Sequence, residues 1–96
     1  MTLDDINLDL IKTEWLGLPA SYDDGLINTH FEVAKATVQH VIGYSLSEIP
    51  VEQQPLAIGA IQILINHLYY NLEPVGGHAI NPTFTYLTHE LKDWRL

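Results

Sequence analysis

Between Pro55 and Leu72 the chain sets Leu56, Ile58, Ile61, Ile63, Leu64, Ile65 and Leu68 on nearly every side of a helical wheel, with polarity confined to a strip through Gly59, Gln62, Asn66 and Glu73. A helix apolar all round has to be enclosed by other elements of its own chain or by another subunit. Length limits what can enclose it, because 96 residues support one domain with a thin core and no second one. Gln62, Asn66 and His67 interrupt the run, which is also shorter than the ~20 residues a bilayer needs. The segment is therefore predicted to be the central, buried third helix of a single domain spanning residues 1–96.

Three flanking helices follow from capping signals and periodicity. Thr2, with Asp5 three positions on, precedes Leu3, Ile6 and Leu10 on one face, which predicts a helix from Leu3 to Trp15. Gly17, Leu18 and Pro19 stop it. Ser21 and Asp24 repeat the capping pattern, and a second helix is expected to begin near Asp23. Along it Ile27, Phe31, Ala34, Val38 and Val41 form an apolar line, His30, Glu32, Lys35 and Gln39 lie off that line, and Gly43 supplies the stop. A connector, Tyr44 to Ile49, leads through Pro50 to the central helix, with Pro55 in its first turn. Pro74, Gly76 and Gly77 open a loop to Asn81. Pro82 starts a last helix in which Tyr86, Leu87, Leu91 and Trp94 share a face. No alternating stretch argues for a strand. The expected fold is all-α, a small antiparallel bundle of about four helices.

Charge narrows the functional classes. Four basic residues against twelve acidic ones leave a net charge of −8, which repels phosphate and removes the counterion-release affinity on which nucleic-acid readers depend. Acids in pairs at helix starts, and not in long rows, also argue against a DNA mimic. With no cysteine there is no disulfide framework and no thiolate site. Asp4, Asp5 and Asp9 stand where a signal peptide would carry lysines, so an intracellular chain is expected.

Chemistry-bearing motifs are sparse. His89-Glu90 with Asp93 resembles part of a zincin helix but lacks the second histidine, and two ligands are too few for a metal site. No serine elbow and no phosphate-cradling glycine loop occurs, so the expectation is a non-enzyme with no catalytic residues, cofactor or metal. Contact residues are the better candidates. Charged residues make up only 17% of the chain, and aromatics with a polar tip are favoured at interfaces, although at helical spacing they more often serve the core. The candidate interface comprises Tyr69, Tyr70, Tyr86, Leu87, Leu91, Trp94 and Arg95, with the adjacent Trp94 and Arg95 as its anchor.

Taken in order, these segments resemble the head-to-tail connector, or head-completion adaptor, proteins of tailed phages. The likeness rests on the opening Leu3-Asp4-Asp5-Ile6 with Leu10, the acidic turn Asp23-Asp24-Gly25-Leu26, the helix stop Val41-Ile42-Gly43-Tyr44-Ser45-Leu46, the segment Leu68-Tyr69-Tyr70-Asn71-Leu72-Glu73, and the close through Pro82, Leu87, Leu91, Trp94 and Arg95. Leu72 stands where the family carries an arginine, and Asn7 where a lysine is frequent. The resemblance implies a structural virion protein of the neck between head and tail, present in the host cytoplasm during assembly. It implies a ring of about twelve copies, bound to the portal protein on one side and a stopper or tail-completion protein on the other, through which packaged DNA passes without sequence-specific binding and without any membrane. The residues alone equally allow a small acidic helical protein-protein adaptor that forms no ring.

Overall fold

The longest helix is defined by its two ends. In the computed structural model, which describes residues 2–70 and 82–95 (94 and 95 by backbone only), α1 spans Asp24–Ile42. Asp23 caps it, its Oδ1 accepting the backbone N–H of Gly25 at 2.9 Å and of Leu26 at 3.4 Å. The expected Ser21 cap is displaced by two residues, because Asp23 lies directly before the first turn and frees Asp24 for another partner. At the far end Gly43 takes φ +85°, the left-handed conformation that disfavours any side chain, and its N–H closes onto the Gln39 carbonyl. Ile27, Ala34, Val38 and Ile42 are buried, with Phe31 and Val41 half-buried beside them, so the predicted apolar line is the packed face.

α2, Gln54–Tyr69, is the central element and packs against both other long helices. Ala57, Ile58, Ala60, Ile61, Leu64 and Ile65 are buried. The helix ends at Tyr69 with Tyr70 as its cap, short of the expected Leu72, which lies with Glu73 and the Pro74 to Asn81 loop outside the described residues. α3, Pro82–Arg95, approaches α2 closely where Gly59 has no side chain: a Cβ there would stand 3.1 Å from Leu87 Cδ1. The packed face of α3 comprises Phe84, Leu87, Thr88 and Leu91. Tyr86, expected on it, is instead 61% exposed, because one residue of helix turns it about 100° away from Leu87. Thr88 is buried without penalty, since its hydroxyl donates to the Phe84 carbonyl at 3.0 Å. The Tyr44 hydroxyl, beyond the C-terminus of α1, donates to the Leu91 carbonyl at 2.7 Å and ties the end of α1 to the C-terminal half of α3. Each long helix therefore runs antiparallel to its neighbour in sequence.

The expected helix from Leu3 to Trp15 is divided. Leu3–Asp5 form a 3-10 turn in which Asp5 accepts the Thr2 N–H at 2.8 Å, Ile6 is extended and buried, and a second helical start follows. Asn7 causes the restart, its Oδ1 accepting the Leu10 N–H at 2.9 Å, an interaction that competes with a continuous helix. Leu3 N–H is drawn to Gln54 Oε1 at 3.0 Å, anchoring the first turn to the start of α2. Leu10–Trp15 then form a π-helical turn, closed by the Leu16 N–H on the Ile11 carbonyl.

Within that turn lies Lys12, only 2% exposed. Its Nζ donates to the Ala20 carbonyl at 2.6 Å and to Asp24 Oδ1 at 2.5 Å, with Asp9 Oδ1 at 3.8 Å. One ammonium thus joins the π turn, the loop before α1 and the first residue of α1. The assembled domain is a plate of 42 × 34 × 17 Å, less than two helix diameters thick.

Ile61→Asp introduces a carboxylate at a fully buried position of α2. An unpaired buried charge costs several kcal/mol against a total stability of about 5 to 15 kcal/mol, so the variant is expected to lose most of its helicity by circular dichroism at 25 °C. A melting temperature within a few degrees of the parent would show that the α2 core is misassigned. Lys12→Met keeps the buried stem and removes the ammonium. It is expected to destabilise by about 1 to 3 kcal/mol, or several degrees in Tm, whereas Lys92→Met, on an exposed site, leaves Tm unchanged.

Candidate interaction surfaces

Two of the sequence-predicted contact residues sit together where α2 ends. Tyr69 is half-buried, Tyr70 is exposed, and their rings meet edge to face at 5.0 Å between centroids. A third ring, Tyr22, lies 5.8 Å from Tyr69, held there by a turn in which its N–H reaches the Pro19 carbonyl at 3.0 Å. The three tyrosines form a partly open aromatic cluster at the N-terminal end of α1. Periodicity could not locate Tyr22, because it lies in a loop; its only signal was position, just before the cap. The Tyr69 phenol is held above its ordinary 10.0, chiefly by its side-chain hydrogen bond with Tyr22 and further by burial and the neighbouring phenols.

The other predicted residues belong to α3. Leu91 is fully buried and Leu87 half-buried against Gly59, so these two close the domain's own core. Tyr86 projects outward. Trp94 and Arg95 occupy the last turn of α3, three and four residues beyond Leu91, at the end of the plate where Tyr44 meets that helix. Tyr22 precedes α1 and Tyr44 follows it. The 19 residues of α1 span ~28 Å, which separates the tyrosine cluster from the Trp94-Arg95 end. The candidate interface is therefore not one patch but two, at opposite ends of the domain.

Other features offer less chemistry. A groove of about 470 Å³ lies between the first turn, α1 and the start of α2, floored by Leu3, Ile6, Leu46 and Ile61, with Lys35 at its rim. That ammonium is engaged, 3.0 Å from Glu32 Oε1 and 4.2 Å from the Phe31 ring centroid, and gives the groove no free cation. His89 Nε2 stands 3.1 Å from Asp93 Oδ2 on the exposed face of α3. Among the described residues no three histidine or carboxylate side chains converge as a metal site, and no helix is long and apolar enough to cross a membrane.

A phenol held above 10.0 is neutral in the fold when its unfolded counterpart has begun to ionise. Its contribution to stability is complete below pH 10 and is lost as pH rises through the raised folded value. Tyr22→Phe removes the main cause, so tyrosinate absorbance is expected to show Tyr69 ionising closer to 10.0, with a shallower alkaline loss of stability. An unchanged titration would disprove the coupling.

Compared with known proteins, the chain matches no family model, no curated protein and no solved structure.

Proposed function

We propose that this chain is a head-to-tail connector subunit of a tailed phage, assembling as a ring of about twelve copies beneath the portal protein and receiving a stopper or tail-completion protein on its other side. The observation that carries the reading is the two-ended arrangement of contact residues: the cluster of Tyr22, Tyr69 and Tyr70 lies about one α1 length from the helix end that bears Trp94 and Arg95. A subunit that links two different rings needs such separated contacts. The resemblance of segments along nearly the whole chain supplies the partners. A net charge of −8, repeated around a ring, supports a channel wall that repels DNA and lets it pass. The role is structural, in the virion neck, and calls for no catalysis or cofactor.

Trp94 and Arg95 form the portal-side anchor in this reading, and truncating such an anchor commonly costs 2 kcal/mol or more. Deleting residues 94–96 is expected to weaken binding to the portal protein of the same genome at least about thirtyfold, with helicity and Tm nearly unchanged. Co-elution, light scattering and negative-stain images of the full chain with that portal would show rings. A chain that remains monomeric beside the portal without co-eluting would instead be a free acidic adaptor. A truncation that lowers Tm and leaves binding by the folded fraction intact would place the anchor elsewhere.

A further inference from the structure

The end of the plate where α1 begins holds negative charge that the chain's own cations do not meet. Asp9 and Asp24 keep 82% and 64% of their side-chain exposure, and Asp23 is exposed next to Asp24. Of the four bases, Lys12 alone serves this end and is spent there, its ammonium buried against the Ala20 carbonyl and Asp24 Oδ1. Lys35 is held by Glu32, eleven residues or ~17 Å along α1, and Lys92 and Arg95 belong to the far end of α3. Three carboxylates against one ammonium leave this end with a charge of 1 − 3 = −2. Asp23 Oδ1 is committed to the helix cap and Asp24 Oδ1 to Lys12; among the described residues the Oδ2 atoms of both accept no hydrogen bond. Tyr22 stands directly before this pair. The ring planes of Tyr22 and Tyr70 are inclined at 70° and 86° to that of Tyr69, and Tyr70 is 54% exposed, with its hydroxyl 3.5 Å from the Leu16 carbonyl. Open aromatic faces and unmet carboxylates at one place attract the same kind of group, a cation.

We propose that this end is a recognition site for the guanidinium group of an arginine on a partner protein, its planar head against an open ring of the tyrosine cluster and its charge met by Asp23 and Asp24. The occupant follows from charge and shape. An anion is repelled here, and an apolar group would leave the carboxylates unmet. A guanidinium is flat, weakly hydrated and rich in donors, so it stacks on a ring and grips a carboxylate at once, whereas an ammonium is a compact charge that holds its water. The arginine comes from the stopper or tail-completion protein, because Trp94 and Arg95 occupy the end that faces the portal; this identification of the source rests on the connector reading. The site itself rests on the geometry of the chain alone.

The probe is an end-blocked peptide carrying two arginines separated by glycine, titrated into the full chain at low salt and followed by the ring-proton NMR signals of the tyrosines. Binding in the millimolar range is expected to shift Tyr22, Tyr69 and Tyr70 and to leave Tyr86 in place. The lysine counterpart of the peptide should bind at least about threefold more weakly. Tyr70→Leu, which removes an exposed ring, and Asp23→Asn, which keeps the helix cap and removes the charge, should each weaken the arginine peptide at least about threefold with circular dichroism unchanged. Tyr70→Phe and Tyr86→Leu should bind as the parent does. Three rings that stay unshifted at several times the millimolar range, equal affinity for the two peptides, or an affinity that Tyr70→Leu leaves intact would each overturn the site. A concentration-dependent dimer of the chain alone, abolished by Arg95→Ala, would give the arginine to a second copy and overturn the assigned source. Portal co-elution is a separate measurement, so a failure of the connector reading and a failure of this site are read independently.

Discussion

The buried ammonium of Lys12 is the interaction on which the arrangement of the first third of the chain depends. A lysine leaves water at a large cost unless its donors are met, and here they are met by the Ala20 carbonyl and the Asp24 carboxylate. Asp24 keeps most of its exposure, so the pair is only half desolvated and avoids the full penalty of a buried ion pair. Because Asp24 is the first residue of α1, the clamp fixes where the N-terminal segment crosses the start of that helix. The π turn, Leu16 and Tyr22 all take their positions from this crossing. So does the tyrosine cluster, whose third ring stands two residues before Asp24.

Thinness governs the rest. A plate 17 Å deep cannot bury both sides of its helices, and α2 takes nearly all of the shelter available, flanked by α1 and α3. Gly59 and the alanines beside it let α3 approach closely enough for Leu87 and Leu91 to complete the core. Among the described residues, the large apolar groups left open are Leu26 and Val33 on the outward stripe of α1, Val51, Tyr86, and Tyr70 at one end of the plate. The stripe of α1 carries no charged side chain, whereas the ends of the plate carry exposed Asp23 and Asp24 at one and Lys92 and Asp93 at the other.

The groove beside Lys35 has the volume of a ligand site, but its one cation is paired with Glu32 and rests on Phe31. The ends of the domain are better suited to recognition, one built from phenols packed edge to face and the other from the last turn of α3. The length of α1 separates these two surfaces by ~28 Å, and in the proposed reading they are the two contacts of a linking protein.

The sequence by itself determined the all-helical class, the central place of the helix after Pro55, the cap at Gly43 and the buried line through Ile27, Ala34 and Val38, because each follows from local periodicity or from a backbone preference that needs no distant partner. It did not reveal the break at Ile6 and Asn7, since the period of Leu3, Ile6 and Leu10 is as good for one helix as for two, and the pull of Gln54 on Leu3 comes from 51 residues away. Nor did it separate Tyr86 from Leu87, because the phase of α3 is chosen by the gap at Gly59. The burial of Lys12, the joining of Tyr22 to Tyr69, and the division of one expected interface into two were decided only by tertiary structure. Each depends on which loop or helix end lies across from a side chain, and spacing along a chain carries no information about what lies across from it.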